Sequence, residues 1–316
     1  MPLTITAGRQ DLWLGSGWLI IDGTPRDGGR TGYFDALRFT FDLEDKDTTA
    51  DFIWIDNYAD SAKRIRPFND YNFDLIEQDE RGAIFYLSNT SLDHTRLDAY
   101  FIYKNDHKRI ASSGTEGETY TIGSFIHSDI DDHWQSCVEL AAQFGHKNGK
   151  SLGAFATNNW LAYRFNDEKE NRLQFGYEYL SGDDDTDKYF DRVWGRLDQW
   201  SRIYTGVIDS IDGRAFDSSN LHRFAANWIS KPTKKTELDT SYHLLFADQN
   251  PSTGGTGGLS KSGCFRGQLL RGQLKYFVHK NLYHRLEAEL FFPGDFYNDD
   301  RNDVVVFLRY GIIFTW

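Results

Sequence analysis

The 316 residues carry 35 Lys and Arg against 47 Asp and Glu, a formal charge of -12, so neither a nucleic-acid backbone nor an anionic lipid surface is the main partner. Mean hydropathy is -0.58 and no stretch approaches the roughly 20 apolar residues of a spanning helix, which excludes a helical membrane protein and leaves a transmembrane β-barrel open. Aromatics reach 16%, and the two cysteines, Cys137 and Cys264, stand far apart and are expected as free thiols.

In chain order, period-two alternation predicts strands over 3–9, 32–43, 48–57, 80–89, 95–104, 118–128, 133–145, 151–165, 170–180, 220–231, 235–247, 267–280, 283–292 and 303–316. Helical stripes longer than about ten residues are absent from the pattern, so the fold class is all-β. The clearest strand is 95–104, where Leu97, Ala99, Phe101 and Tyr103 share one face and Arg96, Asp98, Tyr100 and Lys104 the other. Leu173, Phe175, Tyr177 and Tyr179 oppose Arg172, Gln174 and Glu178 in the same way. So do Leu286, Ala288, Leu290 and Phe292 against Arg285, Glu287 and Glu289.

The connections alternate in length. Segments 44–47, 90–94, 129–132, 166–169, 232–234 and 281–282 are short, while 10–31, 58–79, 105–117, 181–219, 248–266 and 293–302 are long; only 146–150 breaks the rule. This puts the short turns at one end of the sheet and the long loops at the other, the layout of an antiparallel up-and-down barrel in an outer membrane. The last strand adds to this: Leu308, Tyr310, Ile312, Phe314 and Trp316 alternate and end on an aromatic residue, as in barrels recognised for outer-membrane assembly. Trp13, Trp18, Trp54, Trp134, Trp160 and Trp228 lie at or near predicted strands, where membrane interfaces favour amphipathic rings. One domain over 1–316 is expected. The opening Met1-Pro2-Leu3-Thr4-Ile5-Thr6 lacks a basic stretch followed by an apolar one, so a signal peptide is expected to have been removed or lost.

If the apolar faces meet lipid, the opposite faces line a lumen. The register places Arg38, Arg96, Arg172, Arg223, Arg271, Arg285 and Arg309 there, with Lys104 and Lys275, alongside Asp98, Glu139, Glu178, Glu237, Asp239, Glu287 and Glu289. The negative excess then falls in the loops, with Asp183, Asp184, Asp185, Asp187, Asp191 and Asp198 in the longest. An arginine fork pairs bidentately with carboxylate or phosphate and keeps its charge when partly desolvated, so such a ladder suits a path for anionic solutes. The competing reading makes the same residues cross-braces between strands.

Other chemistry is not indicated. The acidic run 183–187 lacks the spaced Gly and Glu of a Ca²⁺ loop and reads as a solvated tip. His127 and His133, and His279 and His284, have no zinc-ligand spacing, so no metal and no cofactor is expected. No hydrolase elbow or phosphate loop occurs, and 254–258 is glycine punctuation in a loop. The expectation is a protein without enzymatic activity; a barrel-wall hydrolase with Ser and His near the rim is the weakest alternative.

Several short motifs at strand ends carry a resemblance. Gly8-Arg9-Gln10 follows the first strand and Tyr33-Phe34-Asp35-Ala36-Leu37-Arg38 leads the second. Phe190-Asp191-Arg192-Val193-Trp194-Gly195-Arg196 lies in the long loop. Ser219-Asn220-Leu221-His222-Arg223, Lys231-Pro232, Arg266-Gly267-Gln268-Leu269 and Phe292-Pro293-Gly294 follow. In order and placement the chain resembles the alginate-export-type outer-membrane barrels along nearly its whole length. The resemblance implies a monomeric outer-membrane barrel whose arginine-lined pore passes a polyuronate or another anionic saccharide by diffusion. It also places Arg9, with Arg38, Arg223 and Arg271, among the basic pore residues. The family's best-known barrel has eighteen strands against fourteen here, so this chain is expected to be the C-terminal part of such a barrel or a narrower one. The expected function is a passive channel constricted by an inward-folded 181–219 loop; the alternative is a plugged barrel whose loops bind a partner or surface glycan.

Overall fold

Alternating β-branched and aromatic residues interrupted by turn residues give fourteen antiparallel strands in one up-and-down sheet. The computed structural model describes residues 2–21, 34–60, 78–109, 114–195, 200–208, 218–251 and 258–315. The strands are β1 (Leu3–Gln10), β2 (Phe34–Leu43), β3 (Thr48–Asn57), β4 (Gln78–Leu92), β5 (Thr95–Lys108), β6 (Gly117–Asp129) and β7 (Trp134–Lys147). They continue as β8 (Lys150–Arg164), β9 (Arg172–Leu180), β10 (Leu221–Thr233), β11 (Thr236–Phe246), β12 (Phe265–His279), β13 (Leu282–Pro293) and β14 (Val305–Phe314). Each strand neighbours its predecessor and successor in sequence, with β1 and β14 at the two ends of the order.

Every predicted strand is present, and the largest boundary difference is at the β4–β5 hairpin. It continues through Gln78↔Lys108, Asp79↔His107 and Glu80↔Asp106, where both faces are polar. The backbone ladder runs on there after the apolar–polar alternation has ended. The exception in the loop pattern also has a cause: β7 and β8 are joined by Asn148 and Gly149 alone, both at positive φ (48° and 79°). Two such residues make the tight hairpin turn that matches strand twist.

Exposure is inverted relative to a water-soluble sheet. On β5, Phe101 is 40% exposed whereas Asp98 and Lys104 are 4% and 1% exposed. On β13, Leu286 and Phe292 are exposed while Glu287, Glu289 and Arg285 are buried. Phe52, Trp54, Phe85, Leu140, Phe144, Phe175, Phe224 and Leu308 continue the exposed apolar set. The tryptophans divide between the two sides. Trp54, Trp134 and Trp228 are exposed on strands, but Trp18 is buried, and Trp160 shares the face of buried Ala156 and Ala162 rather than that of exposed Leu161.

The chain divides into two compact units, one of residues 1–126, 139–155 and 190–197, the other of 127–138, 156–189 and 198–316. In the first, a turn through Leu12, Leu14, Trp18, Leu19, Ile20 and Ile21 is buried together with Phe190, Val193 and Trp194. Trp13 bridges Ile21, Ile20 bridges Trp194, and Trp18 stacks on Phe190 at 6.0 Å. Gly195 is required here, since a Cβ on it would lie 1.9 Å from the Trp18 carbonyl oxygen. In the second unit, Trp200, Ile203, Tyr204 and Ile208 are buried with Leu221, Leu245, Leu269, Phe291 and Phe296. Residues Tyr204–Ile208 form a short π-type helical segment there.

Candidate functional site

The buried faces of the strands carry the charges, and cross-strand register decides which charges meet. In the first unit Arg38 on β2 lies opposite Ile53 and reaches Asp51 with a bidentate pair, Nε and Nη2 donating at 2.7 and 2.8 Å. Arg96 donates from Nε to Asp98 at 2.9 Å and to Ser88 at 3.1 Å, and its guanidinium stands over Phe125. Asp98 also accepts from the hydroxyl of Tyr86. Arg9 pairs with Asp35 across β1 and β2 at 2.9 Å, but on the other face: Asp35 alternates with buried Phe34 and Ala36 and shares the side of exposed Leu37 and Ile5, so Arg9 is not among the inward charges that its motif implies. Lys104 is fully buried between Glu80 at 3.4 Å and Asp106 at 3.1 Å.

The same acids hold the inner segments of this unit. Trp194 donates its indole N–H to Glu80 at 3.0 Å and lies under the Lys104 ammonium. It occupies space made by Gly82, where a Cβ would come within 2.3 Å of the ring. Ser16 donates to Glu139 at 2.6 Å, and Glu139 also accepts from Tyr100. Asp191 is fixed by Lys147 at 2.8 Å and by both ends of the Gln143 amide.

In the second unit Arg223 donates to Glu178 at 2.8 Å and stands 4.9 Å over the Trp200 ring. Arg271 is surrounded by Asp239, Glu287 and Glu289 at 3.2, 3.6 and 3.9 Å. Arg309 pairs with Glu287, Lys275 with Glu237, and Arg285 is buried opposite Lys275 on β12. Glu289 accepts from the Ser201 hydroxyl at 2.7 Å and from the backbone N–H groups of Arg202 and Ile203 at 2.9 and 3.0 Å. One carboxylate therefore anchors the start of the 201–208 segment. Arg172 is held on an aromatic ring. Among the described residues it meets no carboxylate, and its guanidinium lies 5.1 Å over the ring of Trp160.

The model of the alginate export family matches residues 1–307. The chain belongs to that family. It is an outer-membrane β-barrel protein and a transport channel. A search of curated proteins finds no match. Among solved structures it is similar to the NanC porin in a rhombohedral crystal form, at 11% identity and a TM-score of 0.34, over 75% of this chain and 94% of that one.

In this alginate export chain the motifs from widely separated segments come together. Arg266, which opens one of them, donates from Nη2 to the carbonyls of Ser219 and Asn220 at 3.3 and 3.0 Å and from Nη1 to the Tyr204 hydroxyl at 2.7 Å. Its own carbonyl accepts from Gly294 at 3.0 Å, which ties in the third motif. Sequence reasoning left Arg266 in a loop, because no alternation marks the two residues that open this strand. Glu289 and Glu139 were legible as inward acids from period two, but their role as anchors for loop segments was not. At the acidic tip, the proton shared with Asp183 holds the Asp184 carboxyl up, and that hydrogen bond holds Asp183 below the usual carboxylate range. Arg196, Asp198, Tyr33, residues 254–257 and Trp316 lie outside the described residues.

Proposed function

We propose that this protein is a passive channel through which anionic saccharides of polyuronate type cross the outer membrane by diffusion. The observation that carries the reading is the inversion of exposure: large apolar side chains face out, where lipid surrounds them, and charged ones face in, where they line the lumen. A single chain supplies the whole sheet, in keeping with a monomer. Residues 190–195 and 200–208, packed on the buried faces of their respective units, support a lumen narrowed by the 181–219 loop. The inward basic residues Arg38, Arg96, Arg172, Arg223, Arg271, Arg285, Arg309 and Lys275 give the solute its charged surroundings. Their pairing tempers the positive potential, so selectivity is expected to be a modest preference for anions.

That same pairing favours a second reading, a barrel whose lumen is filled by braced charges and whose loops bind a partner or surface glycan. Arg38, Arg96, Arg223, Arg271 and Arg309 each have a carboxylate partner. Single-channel conductance of refolded protein in a planar bilayer separates the two. Open channels with anion preference, partly blocked by uronate oligomers, support the first; correctly folded protein that leaves the bilayer silent supports the second.

A further inference from the structure

Arg172 and Arg164 are direct partners in the β8–β9 ladder, at the ends of the two strands where the short turn begins. Their faces are the buried one, shared with Ala162 and Glu178, while Leu161 and Phe175 on the alternate positions are exposed. Like charges directly opposite on one face are unfavourable. Arg38, Arg96, Arg223, Arg271 and Arg309 on this face each pair with an acid; here Arg164 pairs with Asp129 at 3.3 Å and also donates to the Asp131 carbonyl at 3.1 Å. Arg172 instead stands over the Trp160 ring at 5.1 Å, and the His127 ring meets that ring edge-on at 5.6 Å. Cation–π attraction holds a guanidinium over the ring and leaves its N–H donors for a planar anion. An amide stands beside it: Gln174 follows two residues on along β9, on the same face, and pairs in register with Asn227 of β10, whose amide N–H donates to Asp239 at 3.2 Å.

We infer that Arg172, held on Trp160 and facing Arg164, is a binding station for the carboxylate of a saccharide at the short-turn mouth of the channel, with the Gln174 amide next to it for a hydroxyl group. The inference rests on the channel reading above and deepens it by naming one station and one side. Short turns face the periplasm in outer-membrane barrels, so the station meets solute arriving from inside the cell envelope. A carboxylate between two guanidiniums removes the repulsion that the register creates.

The test is block of single-channel current by uronate oligomers added to either side in turn, for wild type, Arg172→Gln, Arg172→Lys and Trp160→Ala. Block from the short-turn side is expected to weaken roughly tenfold in Arg172→Gln, the factor that removal of one charge-assisted hydrogen-bonding group brings. Arg172→Lys is expected to recover little, because an ammonium has no fork, and Trp160→Ala to weaken block while the charge stays. Neutral oligomers of equal length and inorganic phosphate distinguish the ligand: a Gln variant that loses phosphate and uronate block equally would reduce the station to a general anion site and overturn the saccharide assignment. Wild-type block with unchanged affinity in conducting Arg172→Gln channels would overturn the station while leaving the channel intact. A wild type that never conducts would instead defeat the channel reading itself.

Discussion

The inner segments of the two units are held by different forces. In the first unit residues 12–21 and 190–195 bury Leu12, Trp18, Ile20, Phe190, Val193 and Trp194 against one another, and polar contacts such as Trp194 to Glu80 and Asp191 to Lys147 and Gln143 orient that apolar mass. In the second, Ser201, Arg202 and Ile203 converge on the one carboxylate of Glu289, while Arg266 gathers Tyr204, Ser219 and Asn220. An apolar contact loses stability in proportion to the volume removed, whereas a converging polar contact fails when a single acceptor is deleted. The first arrangement is therefore graded and the second all-or-none.

Deleting a side chain from the apolar mass sets the upper end of the effects. Trp194→Ala is expected to lower unfolding stability by about 3–5 kcal/mol, read from urea titration of refolded protein. A loss below 1 kcal/mol would show that the segment is not packed as described. Glu289→Ala removes the carboxylate that two buried donors and one part-buried donor share, at about 1–3 kcal/mol for each group left unsatisfied. Because the donors belong to one short segment, the loss is expected as local opening: protease cleavage within 200–208 should rise well before the global midpoint moves. If midpoint and cleavage shift together, the two units do not differ in the way argued.

A smaller effect tests whether the buried-face charges brace the sheet. Arg38 and Asp51 form a bidentate pair with Arg38 partly exposed, so a double-mutant cycle with Arg38→Gln and Asp51→Asn should return a coupling of about 1 kcal/mol after solvent screening. Coupling near zero would free Arg38 for solute. The smallest effect lies in the turn after β6, where Asp131 accepts from the backbone N–H groups of His133 and Trp134, both at 2.7 Å. These bonds hold its carboxyl below the usual range, first through Trp134 and then His133. A depressed folded-state pKa stabilises above the unfolded value of about 4 and that contribution fades as pH falls through the folded value. Wild type and Asp131→Asn should thus differ at pH 6 and converge at acid pH; a constant gap would remove the carboxylate from the argument.

Much of the architecture is legible without coordinates because a strand's period is two and each face meets one environment. Thr48–Asn57 is found at its predicted bounds, since Phe52 and Trp54 alternate with Ile53 and Ile55 between turn residues. The upper part of β4 and β5 is not, because Asn105 and His107 are as polar as Lys104 and Asp106 on the opposite face, which leaves no contrast to read. The inward arginines follow from the same alternation. What they touch does not, since Arg38 meets Asp51 and Arg271 meets Glu289 through strand pairings that no local pattern encodes.

The order of side chains along the chain, through hydrophobic periodicity and turn chemistry, determined the strands, their alternating faces and the contrast of short turns with long loops. Only the tertiary structure decided that most inward arginines are already neutralised, that Glu289 and Arg266 anchor loop segments, and that Arg172 rests on Trp160 rather than on an acid. The physical reason is that alternation is a property of one strand and its environment. Charge pairing is a property of register between strands and of where loops far apart in sequence come to rest.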